Sequence, residues 1–386
     1  MQFKTKMLFT TKIMPLASAI AIAFATSASA QEVVKIGHVG PVSGASAHLG
    51  KDNENGAKMA IEELNAKGFM INGKKVTLQL LTEDDGADPK QGTAVAQKLV
   101  DAKVNGVIGH LNSGTTVPAS KIYFDAGIPQ ISPSATTPQY TKQGFNTAFR
   151  VVANDNKLGG TLGRYAGQTL KAKNIAVIDD RSAYGQGVAD EFVKGAKASG
   201  AKVVGKEFTN PNATDFTAIL TSIKAKKPDL IFFGGMDSVA GPMLKQVKAL
   251  GMDVKFMGGD GICTESLGAR AGEAIGDGKV FCAEAGGVKG EQEKVLADFR
   301  ARYKKKFGID VQLYAPYVYD AVMVMATAMQ NAKSAVPATY LPELKKIKYQ
   351  GVTGPIQFDD KGDIKDGALT LFTYKGATRT KLDVIK

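Results

Sequence analysis

From residue 33 onward, short apolar runs alternate with longer stretches in which apolar residues recur every three or four positions. VVKIGHVG (33–40), KVTLQLLTED, VNGVIGHL and IPQISP have the length and character of strands. Residues 51–67, DPKQGTAVAQKLVDA and a short segment from Pro118 to Asp125 carry the helical period, and Pro89 suits a first helical turn. The rhythm restarts at NIAVIDD (174–180). AKVVGKEF, DLIFFGG and KFMGGD then alternate with helical patterns over 186–198, 215–225 and 239–250. Strands interleaved with helices predict parallel sheets covered on both faces, and two such series predict an α/β chain of two doubly wound, Rossmann-like lobes. Helices are expected over 291–306 and 314–332, followed by strand-like TGPIQFDDKGDI and LTLFTYK. No Pro- or Ser-rich linker parts the halves, so several short crossings are expected between them.

The first thirty residues stand outside this pattern. Lys4, Lys6 and Lys12 precede an apolar stretch from Met14 to Ala25, and Ala28-Ser29-Ala30 has the small-x-small form of a cleavage site. We expect a secretory signal cut after Ala30 and a mature protein that is soluble and exported. The apolar stretch is short for a membrane anchor, and no Cys adjoins the cut to carry a lipid. Removing the leader's three lysines takes the formal net charge from +12 to +9. The remaining basic residues are scattered and lack interleaved aromatics, which argues against a nucleic-acid partner. The three histidines show no ligand spacing, so no metal is expected. Cys263 and Cys282 are either a disulfide, which an oxidising compartment allows, or two buried thiols, and the sequence leaves both open.

In open parallel sheets, ligands bind beyond the carboxyl ends of strands. HLNSGTT (110–116) and SPSATTP (132–138) both lie there, and each ends an apolar run in small hydroxyl residues before a helix. Unpaired N–H groups at such a place favour an anion of carboxylate size, with Ser113 and Thr136 adding bonds; ordinary N-capping is the alternative. FMGGDG places Asp260 after a strand, able either to meet an ammonium group or to stabilise its own turn. DDRSAYGQG sets Tyr184 before a helix, to cover a ligand or to pack at a lobe edge. Donors and acceptors on opposite lobes would suit a zwitterion. No catalytic constellation accompanies them. There is no phosphate-loop or H-E-x-x-H signature, GPVSG (40–44) lacks nucleophile-elbow spacing, and GGTLGRYAG lies within a helical pattern. We expect no catalytic residues and no cofactor.

KIGHVGPVSGASAHLGKDNENGAKMAIEELNAKG, TEDDGADPKQ, VIGHLNSGTTVPAS, ISPSATTP, DDRSAYGQG, FMGGDG and TGPIQFDDKGDI lie along most of the chain. Together they resemble the periplasmic leucine/isoleucine/valine-binding proteins of bacterial ABC importers. The resemblance implies a type I binding-protein fold of two lobes joined by a three-crossing hinge and closing on one free amino acid. The N-terminal lobe would comprise 31–153 plus 285–368, and the C-terminal lobe 154–284 plus 369–386. It also implies that Ser113 and Thr136 hold the carboxylate and amine, and that Leu111 and Ser134 contribute main-chain groups. Tyr184 and Asp260 would close from the second lobe, Asp260 against the ammonium, while Leu49, Met236 and Tyr314 line the side-chain pocket. Familiar members carry an aromatic at Leu49, a tyrosine at Met236 and a glutamate at Asp260. They also have a cysteine pair where this chain has Ala87 and Asn112. The implied role is capture of aliphatic branched-chain L-amino acids by a monomer that delivers them to an inner-membrane permease. The alternative is the same role with another amino acid, an amide or an aromatic acid. An exported hydrolase and a ligand-reporting receptor are the readings from other classes.

Overall fold

A computed structural model of the chain describes residues 1–8 and 32–385. The apolar part of the expected leader and its cut after Ala30 lie outside the described residues. Among the described residues, no helix is long and apolar enough to cross a membrane.

Two sheets organise residues 32–385. The first has six strands in the order Met70–Ile71, Lys74–Asp84, Glu32–Gly40, Gly106–Ile108, Gln130–Ser132 and Ala148–Arg150. All neighbours are parallel except the short first pair. The second has seven, ordered Thr378–Ile385, Leu369–Lys375, Val280–Glu284, Lys255–Gly258, Leu230–Gly234, Asn174–Asp179 and Lys202–Phe208. Its last five are parallel and its first two antiparallel. Central strands such as LIFFG are buried along their whole length, because helices cover both faces.

The helices form where the apolar period requires them. Ala47–Ala66 and Ala315–Asn331 pack together over the first sheet, whereas Asp237–Ala249 and Ser266–Ala271 flank the second. Several helices begin earlier than expected, Ala47–Ala66 and Ala183–Ala198 among them, and most of all the one that runs Ser113–Asp125 and not from Pro118. Its first turn, SGTT, has no apolar stripe, so periodicity understates it. Of the expected strand-like TGPIQFDDKGDI, Gly354–Ile356 forms a short hairpin with Tyr349–Gly351. Elements that escaped the sequence pattern include strands Ala148–Arg150 and Val280–Glu284, helices Ser266–Ala271 and Pro337–Lys345, and edge strand Thr378–Ile385. The edge strand carries three charged residues among its eight, and four of the eight are exposed, as solvent-facing edges often are.

The chain passes between the two sheet layers three times, near residues 151–154, 285–290 and 357–368. The passages are tied together: Ala153 N–H donates to Ala285 O at 2.9 Å, and Arg150 N–H to Gly362 O at 2.9 Å. Arg150 itself is fully buried. Its Nε donates to Asp363 at 2.8 Å, and its Nη1 to the carbonyls of Ala135 and Thr137 at 3.0 and 2.7 Å. Asn154 Nδ2 reaches the other Asp363 oxygen at 3.0 Å. One guanidinium thus fixes the loop on either side of Thr136 to the crossing segments.

Candidate functional site

Strands Gly106–Ile108 and Gln130–Ser132 are parallel neighbours, so the loops following them emerge side by side. Side chains lace these loops together. Ser134 Oγ donates to Leu111 O at 3.1 Å, and Ser113 Oγ accepts from Thr137 N–H at 3.3 Å. The capping alternative is not what these hydroxyls do. Asn112 is the N-cap of helix Ser113–Asp125 and makes no side-chain bond to its first turn, while Thr136 Oγ1 is buried without a hydrogen-bond partner.

From the second sheet come Tyr184, in the first turn of helix Ala183–Ala198, and Asp260, just past strand Lys255–Gly258. Asp260 is fully buried, and its carboxylate is gripped from two directions. Tyr184 donates to Oδ1 at 2.8 Å, and Tyr314 to Oδ2 at 2.9 Å. Tyr184 Oη in turn accepts from Gly261 N–H at 2.8 Å. The flanking glycines are required by this close approach. A Cβ on Gly259 would lie 2.5 Å from Tyr184 Oη, and one on Gly261 would lie 2.8 Å from the tyrosine ring and 2.6 Å from Gly235 O. Burial is the main cause that raises the Asp260 pKa, to about 6, with the tyrosine hydroxyls opposing it.

Tyr314 is positioned by a carboxylate from another helix. Asp52 is buried and accepts the consecutive N–H groups of Gln312, Leu313, Tyr314 and Ala315 at 2.8–3.1 Å, plus the Tyr303 hydroxyl at 3.1 Å. It satisfies the open end of helix Ala315–Asn331, which explains an acid inside the otherwise polar LGKDNENG stretch.

Leu111, Asn112, Ser113, Ser134, Tyr184, Met236 and Tyr314 line one narrow gap. It encloses about 10 Å³, room for roughly one water, so a larger guest requires the walls to part. Asp260 adjoins this gap through its two tyrosines. Leu49 and Thr136 do not line it: Leu49 is fully buried in the main core, and Thr136 lies beside Asp155. A wider surface pocket of about 520 Å³ lies against the three crossing segments and shares no lining residue with this gap. Among the described residues, its lining side chains include no buried polar atom without a partner, so its size alone does not make it the site.

Sequence reasoning missed Asp155. It opens helix Asp155–Gln168, is fully buried, and neither carboxyl oxygen has a hydrogen-bond partner. Burial raises its pKa to about 8; the Thr136 hydroxyl opposes the shift, and the charge of Asp260 reinforces it. An acid one residue after an N-capping Asn looks like helix decoration, and nothing in the local pattern marks it. Two buried carboxyls near each other make a place for a positive group, and the charge of Arg150 already acts on Asp155 in that sense. Cys263 and Cys282 are joined by a disulfide that ties the Asp260 loop to strand Val280–Glu284. The main chain of that loop is also held by the Tyr374 hydroxyl, which donates to Thr264 O at 2.8 Å, and by Arg379, which donates to Cys263 O.

The model of the family described as "Periplasmic binding protein" matches residues 33–379. A leucine-, isoleucine-, valine-, threonine- and alanine-binding protein of Pseudomonas aeruginosa is 36% identical over 376 residues, covering 97% of this chain and 99% of its own. A leucine-specific-binding protein of Salmonella typhimurium is 34% identical over 362 residues, with 93% and 95% covered. Among solved structures, the branched-chain amino acid transporter substrate-binding protein LivJ of Streptococcus pneumoniae, in complex with isoleucine, superposes with a TM-score of 0.81 at 28% identity. That match covers 92% of this chain and 99% of the other.

Proposed function

The chain belongs to the periplasmic leucine/isoleucine/valine-binding protein family, and from that premise we propose that it captures a free aliphatic L-amino acid and presents it to an ABC permease. The mature protein begins at residue 31. Its jaws are residues 31–153 with 285–368, and residues 154–284 with 369–386. The ligand carboxylate docks at the first turn of helix Ser113–Asp125, with Ser113 and Ser134 and the main chain at Leu111 completing the cradle. The ammonium faces Thr136, Asp260 and Asp155. The aliphatic side chain packs against Met236 and Tyr314, and Leu49, in the core cluster these two join, backs that wall.

The observation that carries this reading is the excess of buried acceptors. Asp260, Asp155 and Thr136 are all fully buried, and of them only Asp260 has side-chain donors. Neutral hydroxyls do not balance this pair of carboxyls once both ionise, whereas an ammonium placed there does. A micromolar Kd requires about 8 kcal/mol net. Charge-assisted bonds at about 1.5–3 kcal/mol each, with one buried aliphatic side chain at roughly 1.5–3 kcal/mol, support that magnitude. The narrow gap implies hinge opening for entry and closure on the guest.

Calorimetric titration with the twenty amino acids, acetamide and benzoate, on protein stripped of carried-over ligand, tests the reading. Saturable binding of leucine, isoleucine or valine supports it. Tight binding of benzoate or acetamide with no response to any amino acid rejects it.

A further inference from the structure

One contact between the jaws lies outside the proposed cradle. His48, on helix Ala47–Ala66, places Nε2 2.8 Å from Oδ2 of Asp237, the first residue of helix Asp237–Ala249. Its Nδ1 lies 3.4 Å from Nη2 of Arg270, on helix Ser266–Ala271. A guanidinium only donates, so Nδ1 must be the acceptor, and Nε2 therefore carries the proton given to Asp237. The imidazole is engaged at both nitrogens, and both partners come from elements flanking the second sheet.

Asp237 is built to receive it. The carboxylate is fully buried, its Oδ2 also accepts from the Thr264 hydroxyl at 2.6 Å, and Arg270 Nε stands 3.5 Å away at ion-pair distance. Thr264 lies four residues beyond Asp260, on the same pinned loop. His48 and Asp237 are also the chain neighbours of Leu49 and Met236, two of the proposed pocket residues. The contact therefore sits beside the cradle and shares its backbone with both walls, yet touches none of the groups assigned to the ligand. A second jaw-to-jaw bond, Ser266 Oγ to Gln312 Oε1 at 2.7 Å, lies on the same flank.

We propose that His48 is a positioning residue, a plug on one jaw seated between Asp237 and Arg270 of the other, that sets how tightly the protein holds its amino acid without touching it. The inference rests on the reading of two jaws closing on a ligand. Opening the jaws unseats the imidazole and returns Asp237 to water. Any interaction present only in the closed form shifts the population toward closure, and a ligand that selects the closed form gains apparent affinity accordingly. A His is suited to this seat because one side chain offers an acceptor and a donor on opposite edges of a rigid ring. Glutamine preserves both functions; phenylalanine preserves only the volume.

The test compares wild type with His48→Phe, His48→Gln and Arg270→Ala, using L-leucine titration by calorimetry and small-angle scattering of the ligand-free protein. His48→Phe is expected to weaken leucine binding about 5- to 30-fold, the range for losing one or two buried polar contacts, and to enlarge the ligand-free radius of gyration. Arg270→Ala should shift both readings in the same direction from the opposite jaw. His48→Gln should stay within about threefold of wild type with unchanged scattering, a rescue that a purely structural loss would not show. Thermal unfolding identifies any variant that has not folded, and Arg270→Ala then carries the comparison. The proposal is overturned if His48→Phe and Arg270→Ala both bind leucine like wild type, or if ligand-free scattering is unchanged in both. If wild type binds no amino acid while these variants still expand in scattering, the ligand reading fails and the plug stands.

Discussion

The hydroxyl of Tyr314 donates to Oδ2 of Asp260 at 2.9 Å, and the two residues come from elements flanking different sheets. Asp52 fixes the backbone of the tyrosine, and the disulfide together with two glycines fixes that of the aspartate. The acid is therefore held in place before any ammonium arrives, and little ordering cost remains to be met on binding. Asp260→Ala should weaken leucine, isoleucine and valine alike, by about 10- to 150-fold if a charge-assisted bond of about 1.5–3 kcal/mol is lost. Met236→Ala should instead reorder preferences among the three. Calorimetry showing leucine bound equally by Asp260→Ala and wild type would falsify the assigned clamp.

Ligand capture should expel protons. In the ligand-free fold the pKa values of Asp260 and Asp155 are raised to about 6 and about 8. Groups raised in this way contribute stability that is complete below the ordinary carboxylate value and is lost as pH rises through the folded values. An ammonium beside them favours the ionised forms and reverses the shift. At pH 7, where Asp155 is mostly protonated, leucine binding should release a proton. Affinity should also fall as pH drops through 6 and Asp260 becomes neutral. Titration heats in two buffers of different ionisation enthalpy measure the release; identical heats would count against an ammonium at this position.

Arg150→Ala should be among the most damaging single changes. It strands Asp363 and frees the two carbonyls that frame Thr136. Breaking a buried ion pair by removing one partner costs about 3–5 kcal/mol, which denaturant unfolding of the ligand-free protein would register.

Reduction of Cys263–Cys282 should lower stability and loosen the Asp260 loop. Closing a loop across a separation of 19 residues corresponds to about 3 kcal/mol in the chain-entropy account. The paired Cys263→Ala, Cys282→Ala variant should therefore melt several degrees lower than wild type. It should keep measurable leucine binding, since Tyr374 and Arg379 still hold the loop.

Much of the site was legible in the chain because strand ends announce themselves. HLNSGTT and SPSATTP lie where apolar runs stop, and parallel pairing of their strands brings Ser113 and Ser134 into one gap. FMGGDG was legible because glycines on both sides of an acid leave room for close approach by something else, which proved to be Tyr184. Leu49 is less exposed to the gap than its place in the motif implies, because its helix turns that side chain into the core. Asp155 and His48 were illegible. The acid looks like an ordinary first-turn residue and the histidine like a polar helix residue. Their meaning depends on groups 105 and 189 positions away: Asp260, whose charge acts on Asp155, and Asp237, which His48 touches.

The alternation of apolar runs and helical periods determined that this chain would build doubly wound sheets, because burying those faces admits few other solutions. Local composition likewise determined which loops would stand at the strand ends. Only the tertiary structure decided which carboxylates would be stripped of water and which would be left without a cation. Charge burial is a property of the whole packed assembly around a group, and no short stretch of sequence contains that environment.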